Sequence, residues 1–532
     1  MKNTILQWNC RGLKCNYNDI LLLLNEHDPA VLCLQETFLK DTDKTTFKNY
    51  SSYNAYSKTC DRASGGVSII VNNRAIQCAI PLNTNLQAIA VSVTLHRVVT
   101  LCSIYLPPNN NLVPNDLDNL IKQLPTPFIL LGDFNAHNIL WGSNHISDRG
   151  KKVEDFIIRH DLCLYNTKSP TYLHPGTGTY TCIDLTICSP SLLLDYNWKV
   201  TEDLHSSDHF PISLENIHPQ IDDTVPQWNL KKADWAKFER LSITMLNRNT
   251  VLNDNNPSRQ FTSILLEIAE ESIPKSSPNC KRIQKPWFTK ECKEAIRQRR
   301  EALKKFNNRP TPENLTQYRI IRAKARRTFK ESKRASWKKF VSSLNSRSSI
   351  KKVWDTIRKI NGKGKYNSFQ HLKVKNNKFN TKHEIANVLA DCFSKNSSSS
   401  NYSEAFQRLK TSKEKTRLKF TSNNSESYNQ PFSLSELMES LNKAHDTSAG
   451  PDDIHYQFLK HLPEPSLTVL LEIFNDLWIT GNVPKIWKEA TVIPKDRRGH
   501  STISKIASQP LSTHQLIPFS DIPYFSSRGS HV

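Results

Sequence analysis

The 532 residues contain no C-x-x-C pair, although cysteine occurs 12 times. Without thiols at ligand spacing there is no zinc finger or zinc knuckle, and a disulfide framework is not expected of so long a chain. The cysteines read as reduced and mostly buried. No apolar run approaches membrane-spanning length. The first residues, which soon reach Trp8, Asn9 and Arg11, lack the layout of a secretory leader. The expectation is a soluble intracellular protein with no membrane partner. Glycine is scarce, at 14, while Asn, Ser and Lys are plentiful and hydrophobic residues make up 37%. That balance describes globular domains joined by polar linkers, and the length allows two to four of them.

Acidic residues are short in one region. Residues 281–360 hold 26 Lys and Arg against 6 Asp and Glu, a net +20, whereas residues 1–220 hold 17 against 20, a net −3. Most of the +22 of the whole chain therefore sits downstream of the first 220 residues. A polyanion held by that segment is the economical reading, and nucleic acid fits it best.

What the first 220 residues do hold is apolar runs that end in polar groups. Phe128-Ile129-Leu130-Leu131 leads into Gly132-Asp133-Phe134-Asn135, where Gly132 loosens the backbone and Asp133 and Asn135 project together from a sheet edge. Other strand-like runs cover 4–8, 31–34, 66–71, 87–95, 98–105, 179–187 and 210–214. Helices are expected at 17–26, 116–124 and 151–160. Many strands with a few helices over about 215 residues make a layered α/β domain. Asn9, Glu36, Tyr105, Asp133, Asn135, Asp184, Asp208 and His209 stand within or just after these strands. Carboxylates and amides with one histidine suit a hard, oxygen-preferring cation such as Mg²⁺ and suit phosphodiester hydrolysis. Singly, each has a plainer reading: a turn for Asn9, solvated acids for Glu36 and Asp184, a core aromatic for Tyr105, a half-buried histidine for His209.

The pieces Trp8-Asn9-Cys10-Arg11-Gly12, Gln35-Glu36-Thr37, Tyr105-Leu106-Pro107-Pro108, Gly132-Asp133-Phe134-Asn135, Ile183-Asp184-Leu185 and Ser207-Asp208-His209 occur in an informative order. Residues 1–216 thereby resemble the endonuclease/exonuclease/phosphatase superfamily, in the variant carried by jockey-like non-LTR retrotransposons. Trp141-Gly142-Ser143 followed by Asp148-Arg149-Gly150 is similar to a pattern of those elements. The resemblance implies a four-layer α/β sandwich of two packed sheets flanked by helices, and a DNA endonuclease using Mg²⁺, with Mn²⁺ as a substitute. It implies that Glu36 holds the metal with Asn9 and Asp208, and that Asp133 positions or deprotonates the attacking water. Asn135 and Tyr105 would bind the scissile phosphate, and His209 would donate to it, oriented by Asp184. Arg11, Thr181 (where the family often has serine) and Arg149 would contact the substrate. The partner would be double-stranded DNA, with the element's RNA held by 281–360 and nuclear DNA as the place of action. Abasic-site repair nucleases share the fold, so that activity stays open, as does a catalytically dead nucleic-acid-binding relic.

Downstream, residues 217–285 read as a linker with an amphipathic helix around 261–271. Residues 286–360 read as a basic helical nucleic-acid-binding segment, in which Leu315, Tyr318, Arg322, Ala325 and Phe329 recur at helical spacing and Trp337, Phe340 and Leu344 continue the pattern. Residues 361–430 form an Asn/Ser-rich connector. Ala449-Gly450-Pro451-Asp452-Asp453 and Pro484-Lys485-Ile486-Trp487-Lys488 make 431–494 resemble the opening of a non-LTR reverse transcriptase, here a partial, mostly helical stub. No Tyr- or Phe-Ala-Asp-Asp occurs, 495–532 reads as a divergent tail, and DNA synthesis is not expected of these residues.

Overall fold

The computed structural model describes every residue except 1, 44, 58–63, 219–225, 276–286, 346–348, 352, 355–356, 358–371, 375–376, 397, 417–429, 448, 451, 485–486 and 488–532. The expected tail at 495–532, the end of the reverse-transcriptase-like block and parts of the 361–430 connector lie outside the described residues. The chain divides into two units, one drawn from Met1–Ile221 and Arg282–Leu389, the other from Asp222–Lys281 and Ala390–His500.

The first unit begins with β1 (Lys2–Asn9), α1 (Tyr17–His27), β2 (Pro29–Gln35), β3 (Tyr50–Ala55), β4 (Val67–Asn72), β5 (Gln77–Ile80), β6 (Gln87–Thr94) and β7 (Val98–Tyr105). It continues with α2 (Pro114–Ile121), β8 (Phe128–Asp133), α3 (Asp148–Arg159), β9 (Cys163–Leu164), β10 (Tyr172–Leu173), β11 (Tyr180–Thr181), β12 (Asp184–Cys188), β13 (Tyr196–Val200) and β14 (Ile212–Asn216). One six-stranded sheet runs β13-β14-β1-β2-β4-β3 and the other β5-β6-β7-β8-β12-β9. Both are mixed, since β1 pairs with β2 and β7 with β8 in parallel while their other ladders are antiparallel.

Strand alternation builds the layers. Ile5, Val31, Cys33, Ile69 and Val71 of the first sheet meet Val91, Val93, Val99, Leu101, Ile129 and Leu131 of the second in one buried core. The alternate residues Leu6, Trp8, Leu32 and Leu34 turn outward onto Ile20, Leu23 and Leu24 of α1. Phe128, Leu130, Leu185 and Ile187 turn outward onto Leu117 and Leu120 of α2 and Val153 and Phe156 of α3. Helix, sheet, sheet, helix is the four-layer sandwich expected from the sequence.

Gly132 serves a different purpose from the one expected. It lies in mid-ladder, and a Cβ there would fall 1.8 Å from the Ile104 carbonyl oxygen, so glycine allows β7 and β8 to approach. The motif also leaves the end of a central strand, between β7 and β12, rather than a sheet edge.

Beyond β14, the second unit contains α4 (Trp235–Met245), α5 (Arg248–Leu252) and α6 (Pro257–Ser272). Phe238, Phe261, Leu265 and Ile268 share a core with Leu437, Phe458, Leu470 and Phe474 from helices at Leu434–Lys443, Tyr456–Lys460 and Glu464–Thr480. The region is helical, as expected. The basic segment returns to the first unit as α7 (Lys290–Asn308) and α8 (Pro312–Ser342). Thr311 caps α8 by accepting from Asn314 N, with Pro312 as its first residue. Leu315, Tyr318, Ala325 and Phe329 are buried as their spacing predicts, but Trp337 and Leu344 are exposed.

Candidate active site

The same alternation that fills the core aims the polar residues. Asn9 continues the inward series of Ile5, and Asp133 that of Ile129 and Leu131. Tyr105 continues Val99 and Leu101, and Asp184 precedes Cys188 by four residues on β12. Each therefore enters the space between the sheets. Register sets them side by side: Tyr105 is opposite Asp133 and Asp133 is opposite Asp184. Three reactive side chains thus form a row across the ends of β7, β8 and β12. Asn9 reaches them from the facing sheet, and its Nδ2 donates to Asp133 Oδ2 at 2.9 Å and to Glu36 Oε1 at 3.1 Å.

Around this row the backbone turns sharply. Glu36, Asn135 and Arg11 have φ values of 48°, 45° and 44°, in the left-handed region where bulky side chains are costly. Strand β8 ends at Asp133, so Asn135 does not continue it as expected. Its backbone N instead donates to Asp133 Oδ1 at 3.0 Å, and its Nδ2 reaches the Leu106 carbonyl at 3.0 Å and Asp133 Oδ2 at 3.3 Å. The left-handed turn brings Asn135 beside Asp133 by folding back rather than by strand period.

His209 arrives on the segment between β13 and β14. Trp8 Nε1 donates to its carbonyl at 2.9 Å, and its Nδ1 lies 2.8 Å from Asp184 Oδ2 with Nε2 4.0 Å from Asp133 Oδ2. Burial opposes a charged imidazole, but the carboxylate of Asp184, then those of Asp133 and Asp208, outweigh it and push the His209 pKa up to about 10. The ring is therefore held as a proton donor. Asp133 moves the other way from an ordinary acid: burial, and then the charge of Asp184 and Glu36, push its carboxyl pKa up. Burial, and then the charge of Glu36 and Asp133, also push Tyr105 up, keeping its hydroxyl protonated.

These observations bear on a metal. Asp133, Asp184 and His209 have ligand-type atoms within 4.8 Å of one another, and Asp184 Oδ1 is buried without a hydrogen-bond partner. Apart from that imidazole, the ligand-type atoms gathered here, from Glu36, Asp133 and Asp184, are carboxylate oxygens. The site gathers more negative charge than its hydrogen bonds offset. Both features fit a hard divalent cation.

The remaining expected residues occupy distinct places. Asp208 is buried, forms an ion pair with Arg11 and accepts from Ser207 Oγ at 3.3 Å; the Arg11 side chain is 54% exposed. Thr181 Oγ1 lies 3.2 Å from His137 Nδ1 and 3.1 Å from Ser143 Oγ. Arg149 directs its guanidinium to carbonyls of Leu106, Pro107, Pro108, Phe134, Asn135 and Asn110, pinning the loops after β7 and β8. Three groups went unnoticed in the sequence. Tyr172 packs its ring 4.6 Å from that of His209, Ser207 Oγ donates to the Asn9 carbonyl at 2.7 Å, and Gln35 Nε2 reaches Ser103 Oγ across the sheets at 2.9 Å. Ser207 and Gln35 lay inside quoted motifs and were the most readily found. A second cluster, His96, Asp195 and His218, lies at the opposite end of the sandwich, where Arg97 Nη2 already pairs with Asp195 at 2.8 Å.

Residues 99–213 match the family model described as endonuclease-reverse transcriptase. Along 95% of its length the chain is similar, at 23% identity, to the RNA-directed DNA polymerase from mobile element jockey of Drosophila melanogaster. It is likewise similar, over 96% and at 23% identity, to the probable RNA-directed DNA polymerase from transposon BS of the same fly. It spans 56% and 57% of those two proteins, little more than half of each. Among solved structures, the endonuclease domain of TRAS1, a telomere-specific non-LTR retrotransposon, aligns with 41% of this chain and 99% of its own at 23% identity and a TM-score of 0.35. The AP endonuclease LMAP from Leishmania major aligns with 41% of this chain and 88% of its own, at 16% identity and a TM-score of 0.34. The chain is thus similar along most of its length to the jockey-type non-LTR retrotransposon RNA-directed DNA polymerases, and its residues 99–213 match the endonuclease-reverse transcriptase model.

Proposed function

We propose that residues 1–216 form a Mg²⁺-dependent DNA endonuclease of a non-LTR retrotransposon. It would hydrolyse one strand of chromosomal DNA and leave a 3′ hydroxyl that primes reverse transcription of the element's RNA. The observation that carries this reading is the Asn9 amide bridging Glu36 and Asp133 across two sheets, beside the Asp184–His209 pair.

In this reading Glu36, Asn9 and Asp208 hold the cation, for which Mn²⁺ can substitute. A cation held there would offset the charge of the phosphate being attacked. Asp133, whose carboxyl is pushed toward neutrality, orients the water and takes its proton. His209, kept protonated by Asp184, donates to the phosphate. Tyr105 and Asn135 bind its oxygens, and Arg11, Thr181 and Arg149 border the substrate. Basic residues of 281–360 attract DNA and the element's RNA through the backbone charge. No polymerase step is assigned to these residues, and action in the nucleus follows from the substrate.

The test is nicking of supercoiled plasmid with Mg²⁺, with chelation as control. Loss of a general acid or base slows hydrolysis by about 10²–10⁴, so Asp133→Ala and His209→Ala should be nearly silent, and a separate polymerase should extend the wild-type nicks. Equal activity of the variants would remove the site assignment. Faster cleavage of abasic than of intact duplex would favour a repair nuclease instead.

A further inference from the structure

The segment that carries Ser207, Asp208 and His209 joins β13 to β14. The sandwich holds it through Leu173 N on the Asp208 carbonyl, Phe210 N on the Thr171 carbonyl and Trp8 Nε1 on the His209 carbonyl, and α7 and α8 brace it from the other side. Leu204 and Phe210, which bracket the three residues, are buried against Leu303 and Phe306 of α7 and Leu315 and Tyr318 of α8. Arg299 of α7, with a side chain 0% exposed, donates to Asp203 Oδ2 at 2.9 Å and to Asp19 Oδ1 at 3.2 Å. Arg300 Nε donates to the same Asp203 oxygen at 3.0 Å. From α8, Arg322 Nη1 donates to the Ser207 carbonyl at 3.0 Å, with its guanidinium 5.8 Å from the Tyr318 ring centroid. A solvated basic helix explains none of these bonds. Three arginines of a region read as a nucleic-acid binder are spent on holding one loop of the sandwich.

We infer that the α7–α8 hairpin is a positioning element of the nuclease site, and that Arg322 is a positioning residue for Asp208 and His209. It acts through the Ser207 carbonyl, next to Asp208, while the buried Arg299 clasp and the Leu204 and Phe210 contacts add to the bonds the segment already makes within the sandwich. This rests on the endonuclease reading. A reacting group misplaced by about 1 Å costs on the order of 10²-fold in rate, so loosening this loop is felt in the chemical step rather than in binding.

The experiment uses the full chain with Arg322→Ala and Arg322→Lys. Arg322 is only half-buried, so either variant should keep the fold, which thermal unfolding checks. For Arg322→Ala we expect kcat for plasmid nicking to fall about 10-fold or more with KM nearly unchanged. Arg322→Lys, which keeps one donor, should recover part of the loss. Amide hydrogen exchange of 201–211, measured without metal, should be faster in Arg322→Ala than in wild type. A raised KM with kcat intact and a flatter salt dependence would make Arg322 a phosphate contact and overturn the inference. Unchanged exchange in 201–211 would overturn it too. If wild type itself fails to nick, the endonuclease reading falls, and the exchange result alone decides whether the hairpin holds the loop.

Discussion

Replacing Arg299 with methionine keeps most of the side-chain volume and removes the charge. The guanidinium is 0% exposed and the side chains of Asp19 and Asp203 are 4% exposed, so solvent screens little of the interaction. Burial opposes ionisation of both acids, yet His205 and then Arg299 hold both carboxyls below the usual range. The variant therefore leaves two buried carboxylates without the guanidinium that bonds to both. Breaking a buried pair from one side costs about 3–5 kcal/mol. We expect the lower part of that range, because Arg300 still reaches Asp203 and the His205 ring stays 3.4 Å from Asp19. At about 2 °C per kcal/mol for a unit of this size, the nuclease-plus-hairpin transition should fall by about 6 °C. Calorimetry of the full chain measures it. Arg297→Met is the internal control, since Arg297 pairs only on the surface with Glu294 and Glu301. If Arg299→Met lowers the transition no more than Arg297→Met does, the clasp contributes nothing to the docked hairpin.

The other predictions address the strands, the imidazole and the acid limb. Gly132→Ala sets a methyl group against the Ile104 carbonyl, an atom of backbone that cannot yield, and should destabilise by about 3 kcal/mol or more while separating Tyr105 from Asp133; a neutral result by urea unfolding would mean the ladder is looser than it is drawn. Asp184→Asn removes the main group that raises His209, so the alkaline limb of the nicking profile should move down from about 10 toward the ordinary histidine range of about 6.5. An unmoved limb would show that His209 is not the donor. Asp203 has a folded-state pKa below its unfolded one, so its contribution is present above about pH 4 and is lost as pH falls further. Asp203→Asn should accordingly flatten the loss of stability between about pH 5 and pH 2, and an unchanged slope would refute it.

How much of this was legible follows from what each element buries. The runs expected at 4–8, 31–34, 66–71, 87–95 and 98–105 became β1, β2, β4, β6 and β7, all interior strands covered on both faces and therefore written in apolar residues. The run at 179–187 divides into β11 and β12. The strands that were missed in the two large sheets, β3, β5, β9 and β13, are their four edges. Tyr50–Ala55 reads YSSYNA and is half-buried throughout, with no period to find. An edge strand has little apolar pattern to display, because one of its sides needs none.

The site was legible for a related reason and the hairpin was not. Asn9, Asp133 and Tyr105 each continue the parity of an inward-facing apolar series, so strand period alone sends them into the gap between the sheets. Period cannot say which loops fold back, and so Asn135, in its left-handed turn, was placed on the right neighbour by the wrong route. Arg299 was one of 26 cations in a segment read for its total charge. Yet Cys292, Ile296, Arg299, Leu303 and Phe306 are the buried face of α7, spaced four, three, four and three apart. A cation in register with an apolar stripe either breaks the stripe or is neutralised where the stripe docks. Read for phase instead of charge, the same residues already require buried carboxylates on whatever α7 packs against, and Asp19 and Asp203 are what the sandwich supplies.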